Sequence, residues 1–347
     1  MDHYVGIDVS LELSSVCIVD ESGAIVREGK VASEPEALMV WLRLAGVELV
    51  RVGLEAGPLS QWLYAAMKAA GFPVELLETR HVRDAFRAMA VKTDRKDAQG
   101  IAQLMRLGWF RPVHCKSMAA QEIRAMLTAR KLVQSKLHDV EMSLRGILRG
   151  FGLKVGKTTR SEFAGRVSEL VSGHPNLKEA VTALLAVRAV LLREFNGFER
   201  RVRQMARADE RVRLLVTTPS VGAVVALTVV AAIDDPARFK SSKTVGAHFG
   251  MTPRKYQSGE TDVTGRISKI GDPAVRAVLF EAAHVLLTKA IAGCPNLKSW
   301  AMRLAKRAGM KRAKVAVARR LAVILHRMLV DGKAYNDQMV GKATAKA

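Results

Sequence analysis

The chain has 347 residues, with 55 Lys and Arg against 33 Asp and Glu and a formal net charge of +22 at pH 7. Its longest apolar run, Val221–Ile233, is too short to cross a bilayer, which excludes a membrane-spanning protein. Three scattered cysteines exclude a disulfide framework, and the N-terminus does not resemble a signal peptide. We therefore expect a cytoplasmic protein with two or three domains and sizeable cores.

The positive charge is concentrated in the later part of the chain. Residues 1–117 hold 14 Lys and Arg against 15 Asp and Glu, so the remaining 230 residues carry +23. This asymmetry predicts a neutral N-terminal domain joined to a polyanion-binding remainder. A basic surface that merely keeps the protein soluble is the alternative. A membrane-surface role is disfavoured because few aromatic residues accompany the charge.

Residues 1–117 alternate strand and helix patterns. A helix is predicted from Pro35 to about Leu44, with Ser33 as its N-cap. Further helices are predicted over Ser60–Ala70, His81–Met89 and Asp94–Leu107. Strands are predicted over Tyr4–Val9, Ser15–Val19, Ala24–Val31, Leu49–Glu55 and Pro73–Leu77. The order is that of an α/β ribonuclease-H-like (RuvC-like) domain, whose first strand lies in the middle of the sheet.

The rest of the chain is predicted to be mainly helical. Apolar residues at three- and four-residue spacing across 118–210 predict two long helices, separated by the Gly-rich segment 150–176, in an antiparallel coiled-coil hairpin. The sequence predicts a mainly α-helical C-terminal domain over residues 211–340 and a disordered tail over residues 341–347. Within that domain the expected helices are Ala223–Ile233, Ala274–Ile291 and Lys311–Leu329, and a polar Gly-rich stretch covers Thr252–Asp272.

Four carboxylates carry the strongest chemical signal. Asp8 and Glu55 lie inside segments that are predicted to be buried strands, where a carboxylate is costly unless a cation compensates it. Asp94 and Asp97 lie three residues apart at a predicted helix start and so share one face. Mg²⁺ prefers oxygen ligands, and two such ions stabilise both oxygens of an in-line displacement at phosphorus. The set predicts a Mg²⁺ site for phosphodiester chemistry, with Mn²⁺ as a possible substitute.

Each acid alone also suits a structural role. Asp8 could cap a turn, and Glu55 could be an ordinary loop acid beside Gly57. Asp94 and Asp97 could be acids of the first helical turn, where the helix dipole favours negative charge. Lys92, Arg95 and Lys96 interleave with the two helix acids. These three cations are equally consistent with contacts to phosphate and with a solvent-exposed helix start.

Two segments of the C-terminal domain are candidate phosphate sites. Pro219-Ser-Val-Gly222 precedes an apolar helix, as in a helix-hairpin-helix motif, and the turn at Gly222 would expose backbone amides to phosphate. Further on, Gly259 leaves the Ser258 hydroxyl exposed, and a serine beside basic groups can attack a phosphodiester. A plain turn residue is the alternative for Ser258, and Ser268 is a rival nucleophile. The basic groups expected around the phosphate are Lys255, Arg266, Lys269 and Arg276.

The motifs together resemble a known family. Gly6-Ile-Asp-Val-Ser10, Leu54-Glu-Ala-Gly-Pro58 and Lys92-Thr-Asp-Arg-Lys-Asp-Ala98 resemble the DEDD tetrad of bacterial insertion-sequence transposases with a RuvC-like domain. Gln257-Ser-Gly259 and Gly265-Arg-Ile-Ser-Lys269 are similar to the C-terminal transposase domain of that family. The resemblance covers nearly the whole chain in the same order. Two departures are Leu11, where Lys is frequent, and Asp272, where Asn is usual.

The resemblance implies a magnesium-dependent recombinase that excises and inserts its element. By motif match it implies that Ser258 is a nucleophile that forms a transient phosphoserine link to DNA. It also implies a structured non-coding bridge RNA as guide, DNA of the element ends and target as substrate, and assembly as dimers or tetramers. Acids of one protomer would then act with the serine of another, in a protein associated with the nucleoid.

Three other functions compete with this one. A Holliday-junction-type endonuclease would use the same four acids with water as nucleophile. A nucleic-acid-binding protein would use its acids only structurally. A sugar-kinase-like ATPase is disfavoured, because the chain lacks a second Gly-rich phosphate loop at a convincing spacing and the basic charge would be unexplained.

Overall fold

The computed structural model describes residues 1–88 and 93–338. The chain divides into two compact units, Met1–Lys116 and a second that begins at Ser117. The first is a mixed α/β unit and the second is mostly helical, as predicted. The candidate Lys92, the end of the predicted helix His81–Met89 and the predicted tail 341–347 lie outside the described residues. None of the described helices is long and apolar enough to cross a membrane.

The first unit is built on a five-stranded sheet in the order β3-β2-β1-β4-β5. The first three strands form an antiparallel meander, and the last two run parallel to the first. The predicted order of strands along the chain is confirmed, and so is the central position of the first strand, which ends at Asp8. The strands are β1 (His3–Asp8), β2 (Leu13–Asp20), β3 (Ile25–Ala32), β4 (Leu49–Glu55) and β5 (Val74–Leu77).

Four helices accompany this sheet in the described residues. Glu34, not Ser33, occupies the N-cap position of the first helix, so that prediction was wrong. The Ser33 hydroxyl is instead buried, donates to the carbonyl oxygen of Ser10 at 2.8 Å and lies 2.7 Å from the hydroxyl oxygen of Ser14. The helices are α1 (Pro35–Arg43), α2 (Ser60–Ala69), α3 (Thr79–Ala85) and α4 (Asp94–Leu107).

Helix α4 packs against the central strand with no side chain between them at Gly6. A Cβ atom on Gly6 would lie 2.1 Å from the carbonyl oxygen of Ala98 and 2.3 Å from the backbone nitrogen of Ala102. Gly53 of β4 is similarly close to α4, since its Cβ would lie 2.8 Å from the Met105 side chain. Both glycines therefore allow the helix backbone to approach the middle of the sheet.

Gly6→Ala is expected to destabilise the protein. The added methyl group would overlap backbone atoms, which cannot move aside as a flexible side chain can, and overpacking of this kind costs about 1–3 kcal/mol. Gly29→Ala is the matched control, because its Cβ would meet the Trp41 ring at an ordinary 3.4 Å. Denaturant unfolding of the full chain measures both variants. Equal midpoints for the two would contradict the close approach.

The second unit begins with two long helices that run antiparallel. Arg188 pairs with Glu141 at 2.8 Å, and Arg130 pairs with Glu199, so later residues of one helix face earlier residues of the other. The predicted hairpin of helices is therefore present, and its coiled-coil geometry stays a prediction. The helices of this segment are α5 (Met118–Gly150), α6 (Phe163–Leu170) and α7 (Pro175–Ala208).

Helix α6 was not predicted. It lies in the segment 150–176 that was expected only to connect the long helices. Phe163 and Val167 of α6 join a small core with Leu144, Leu148 and Val181 of the hairpin. The short helix therefore covers the apolar residues at the closed end of the hairpin.

The remaining elements surround one larger core. Ala120 of α5 and Val202 of α7 belong to this core, so the open end of the hairpin is rooted in it. The apolar helix Ala223–Ile233 is confirmed, and the Gly-rich stretch contains an unpredicted two-stranded hairpin. These elements are α8 (Glu210–Val216), α9 (Ala223–Ile233), α10 (Val245–His248), β6 (Pro253–Ser258), β7 (Thr261–Ile267), α11 (Pro273–Thr288), α12 (Pro295–Ala308) and α13 (Met310–Asp331).

Candidate active site and nucleic-acid surfaces

Asp8 and Glu55 end neighbouring parallel strands. Ile7 pairs with Leu54 in the register of β1 and β4, so the two acids that follow lie side by side at the carboxyl edge of the sheet. Both are half-buried, and both line one cleft of about 400 Å³. Residues 9–11 and 56–59 complete its walls. The structure therefore brings together the two predicted strand acids.

The first turn of α4 is directed toward the same edge. At the other end of the helix, Gln103 donates to the carbonyl oxygen of Gly23 at 2.8 Å, in the turn beside the start of β1. Arg51, early in β4, donates to the carbonyl oxygen of Met105 at 2.9 Å. Because the last turns of α4 lie over the strand beginnings, its first turn extends toward the strand ends. Asp94 and Asp97 lie in that turn.

Local capping determines where α4 begins. The Thr93 hydroxyl oxygen accepts from the backbone N–H of Lys96 at 3.3 Å. Asp94 is exposed and Asp97 is half-buried, and both lie where the helix dipole favours negative charge. Arg95 forms a two-pronged ion pair with Glu28 of β3, so its guanidinium is already engaged by a carboxylate. Lys96 is exposed.

The acids fit a divalent cation by their chemistry. Mg²⁺ commonly takes one or two protein carboxylates and completes its shell with water and substrate phosphate oxygens. Asp8 and Glu55 supply two such carboxylates in one cleft. Within residues 1–88 and 93–338, no three side chains of His, Cys, Asp or Glu are grouped closely enough to hold a metal ion together. A joint role of all four acids stays a prediction.

Ser258 lies at the tip of the β6-β7 hairpin. It pairs with Thr261 across a two-residue turn, in which Gly259 has φ +55°, a backbone conformation that glycine adopts without strain. Ser258 is exposed, as predicted from the glycine beside it. The rival Ser268 is half-buried at the other end of the hairpin, and its hydroxyl oxygen accepts from the N–H of Ile270 at 3.5 Å.

The basic residues predicted to surround Ser258 do not all lie at that tip. Arg276 donates to the carbonyl oxygens of Phe249, Ile270 and Gly271, at 2.7–3.2 Å, at the opposite end of the hairpin. Roughly 16 Å of strand separate the two ends, so Arg276 does not lie beside Ser258 in this chain, and its contact with nucleic acid stays a prediction. Its guanidinium instead holds together the backbone below the hairpin.

The other three cations are placed differently. Lys255 pairs with Asp262 across the hairpin at 3.1 Å, in an exposed surface pair. Lys269 follows Ser268 with φ +56°. Arg266 lines a groove that does not include Ser258. Their contacts to nucleic acid stay predictions.

The segment before α9 has the arrangement expected of a helix-hairpin-helix motif. Helix α8 and helix α9 are joined by a short turn, in which Ser220 has φ +71° and Gly222 occupies the N-cap position. No side chain caps the first amides of α9, and Gly222 is exposed. The turn is therefore suited to phosphate binding, which stays a prediction.

Two family profiles match the chain, and both describe transposases. The DEDD-type profile of the IS110 group, described as "Transposase", matches residues 5–152, which contain all four acids. The profile described as "Transposase IS116/IS110/IS902 family" matches residues 212–298, which contain Ser258. The chain belongs to the IS110/IS116 family of transposases. It is therefore an enzyme that cleaves and transfers DNA, and its DEDD domain implies a divalent metal cofactor.

The chain is similar to other bacterial transposases over most of its length. The transposase for insertion sequence element IS1111A of Coxiella burnetii is 28% identical, over 95% of this chain and 90% of that protein. A probable family 20 transposase of Pseudomonas aeruginosa is 24% identical, over 80% and 83%. The transposase for insertion sequence element IS1328 of Yersinia enterocolitica is 22% identical, over 82% and 85%.

An ion pair missed by sequence reasoning joins two helices of the transposase. Asp272 accepts the N–H of Ala274 at 2.8 Å as the N-cap of α11 and also pairs with Arg124 of α5. Burial alone would raise the pKa of Asp272, but the hydrogen bond and charge of Arg124 outweigh it, so the pKa lies below its usual value. The two residues are 148 positions apart, so no local pattern reveals the pair.

Asp272→Asn is expected to lower the free energy of unfolding by about 1 kcal/mol at pH 7. Asn still caps the helix, so the loss isolates the charge interaction with the partly exposed Arg124. Because the pKa of Asp272 is depressed, its contribution is complete above the unfolded-state pKa of about 3.9 and is lost as the pH falls through the folded value. The difference between the proteins should therefore shrink below about pH 4.

Asp262→Asn provides the matched control, since its pair with Lys255 is exposed. Exposed pairs contribute about 0–1 kcal/mol. Urea unfolding at several pH values measures all three proteins. If the gap between wild type and Asp272→Asn were independent of pH, the ion pair would not be its cause.

Proposed function

We propose that the transposase cuts and rejoins DNA at a metal site formed by Asp8, Glu55, Asp94 and Asp97, in a RuvC-like domain that uses Mg²⁺ and accepts Mn²⁺. One observation carries this proposal. Two acids from adjacent parallel strands line one cleft, and the first turn of α4 is directed to the same edge.

The chain's own groups then have defined tasks. The carboxylates hold the cation and position a phosphodiester beside it. When bound, the cation stabilises charge on the attacking and leaving oxygens. The Ser258 hydroxyl loses its proton and attacks phosphorus, a phosphoserine ester forms, and the displaced DNA oxygen takes up a proton. A hydroxyl of the receiving strand later attacks the ester, and Ser258 regains its proton.

Asp8→Asn should reduce metal-dependent strand cleavage by about 10²–10³-fold, the usual loss when one electrostatic stabiliser of the transition state is removed. Glu36→Gln is the matched control, because this acid is exposed in the first turn of α1 and does not line the cleft. Cleavage of a labelled duplex that carries the element end measures both. Normal cleavage by Asp8→Asn would exclude the proposed site.

Ser258→Ala should abolish the covalent protein–DNA product, whereas Ser268→Ala should retain it. Both variants remove one hydroxyl from opposite ends of the same hairpin. Denaturing gels resolve a protein-linked DNA strand from free DNA. Cleavage by Ser258→Ala at the wild-type rate would show that water is the nucleophile, as in a Holliday-junction-type endonuclease.

We further propose that the hairpin of α5 and α7 forms a coiled coil and joins copies of the chain into dimers or tetramers. Large apolar side chains remain exposed on these helices, which supports a further packing partner. They are Leu132, Met142, Ile147, Val187 and Val190. In such an assembly the acids of one protomer act with Ser258 of another.

The proposed guide is a structured RNA, the bridge RNA implied by the resemblance to the family. The net charge of +23 on residues 118–347 supports RNA as well as DNA as a ligand, because strong positive charge attracts any polyanion. The proposed substrates are the element ends and the target DNA. Their location implies association with the nucleoid.

A further inference from the structure

A groove in the second unit combines a large volume with concentrated positive charge. It has a volume of about 1280 Å³ and lies between the β6-β7 hairpin and one face of α13. Seven of its lining residues are Lys or Arg, and none of the described lining residues is Asp or Glu. Such a surface attracts polyanions, because its charges act together in a concave site.

The cations contributed by α13 recur along one face of the helix. They occupy three successive levels, at positions 311 and 312, 319 and 320, and 327. With a rise of 1.5 Å per residue, the row from Lys311 to Arg327 is about 24 Å long. Apolar residues line the groove between the levels, among them Val315 and Val323. The opposite wall adds Arg266 from β7, with Lys243 close by in the lining.

Five of the seven cations take part in none of the ion pairs of the described residues. They are Lys243, Arg266, Lys311, Arg312 and Arg319. Arg327 pairs with the carboxylate of Asp331 at 3.1 Å. Like charges that share a groove repel one another, and the repulsion is relieved when an anion binds.

Trp300 of α12 fixes the direction of one cation. The guanidinium of Arg320 lies over its indole ring, 5.0 Å from the ring centroid. Burial lowers the pKa of Arg320. A guanidinium held in this way loses less conformational freedom on binding a phosphate than a freely rotating one.

We propose that this groove binds the phosphate backbone of one nucleic-acid strand along α13. A row of about 24 Å matches the axial length of roughly seven nucleotides of a strand within a duplex, which rises 3.4 Å per nucleotide along the helix axis. The apolar levels between the cations accommodate sugars and base faces, whereas a flat bilayer would not reach the floor of a groove. The inference deepens the proposed function by assigning a nucleic-acid contact to named residues. It rests on the proposed action on nucleic acid, and it is independent of the four acids.

The test compares two double variants of the full chain. Arg312→Gln with Arg319→Gln removes two cations from the groove. Arg303→Gln with Arg307→Gln removes two exposed cations of α12 that do not line it. The probes are a labelled 20-nucleotide single-stranded DNA, the RNA of the same sequence and the DNA duplex. Fluorescence anisotropy measures binding from 50 to 200 mM salt, with a chelator to prevent cleavage.

The groove variant should bind at least one probe roughly tenfold more weakly at 150 mM salt, whereas the α12 variant should remain close to wild type. The slope of log K against log salt should be shallower by about 1.4 for a single strand or 1.8 for a duplex, because two phosphate contacts are lost. The probe with the largest loss identifies DNA or RNA as the ligand. Arg312→Lys with Arg319→Lys retains both charges and should restore most of the affinity.

The proposal fails if the two double variants bind every probe equally, or if the salt slope does not change. It also fails if an acidic peptide displaces the probes as well as unlabelled oligonucleotide does. A measurement of metal binding distinguishes this failure from that of the metal site. Titration of Mn²⁺ into the groove variant without DNA should match wild type, because Arg312 and Arg319 are not among the four acids. Loss of probe binding and loss of metal binding therefore test different claims.

Discussion

The close contact between α4 and the central strand is the constraint on which the first unit depends. At Gly6 the helix backbone comes nearer to β1 than any side chain would allow. Hydrogen bonds from Arg51 and Gln103 fix the far end of the helix over the strand beginnings. Together these contacts set the direction of α4 and therefore the edge toward which Asp94 and Asp97 extend. The positions of Asp8 in β1 and Glu55 in β4 do not depend on this contact, since the register of the two parallel strands already aligns them.

The two units differ in net charge. The first is close to neutral overall, and two of its acids line one cleft of the sheet. The second carries the positive charge, and a groove of about 1280 Å³ in it is lined by seven cations. Paired cations elsewhere in the second unit are structural, as Arg124 and Arg188 show by joining helices through carboxylates. Groove cations outside any described ion pair, such as Arg312 and Arg319, are available to a ligand.

Sequence reasoning succeeded where the signal is local. Strand patterns predicted the five strands, and the acids inside two of them predicted a metal site that includes Asp8 and Glu55. Gly259 correctly predicted that Ser258 would be exposed. Helix α6 and the β6-β7 hairpin were not predicted, because neither has an apolar repeat long enough to recognise. Ser33 was misassigned because a serine before Pro35 suits an N-cap, whereas its hydroxyl is used in a buried contact.

Features assembled from distant segments could not be predicted. Arg276 donates to three carbonyl oxygens at the base of the hairpin, and these contacts are visible only in the fold. The partner of Arg95 is a glutamate 67 residues earlier, on a neighbouring part of the sheet. The basic groove combines Lys243, Arg266 and α13, so its cations are scattered in the sequence. In each case the missing information is tertiary contact, which one sequence does not contain.

The central claim is that acids from two strands and one helix share a divalent cation. Calorimetric titration of Mn²⁺ or Mg²⁺ into the full chain without DNA tests it most directly. The account predicts saturable binding by wild type, and affinity at least roughly tenfold lower for both Glu55→Gln and Asp97→Asn, because each removes one charged ligand. Indistinguishable isotherms for wild type and the two variants would contradict it.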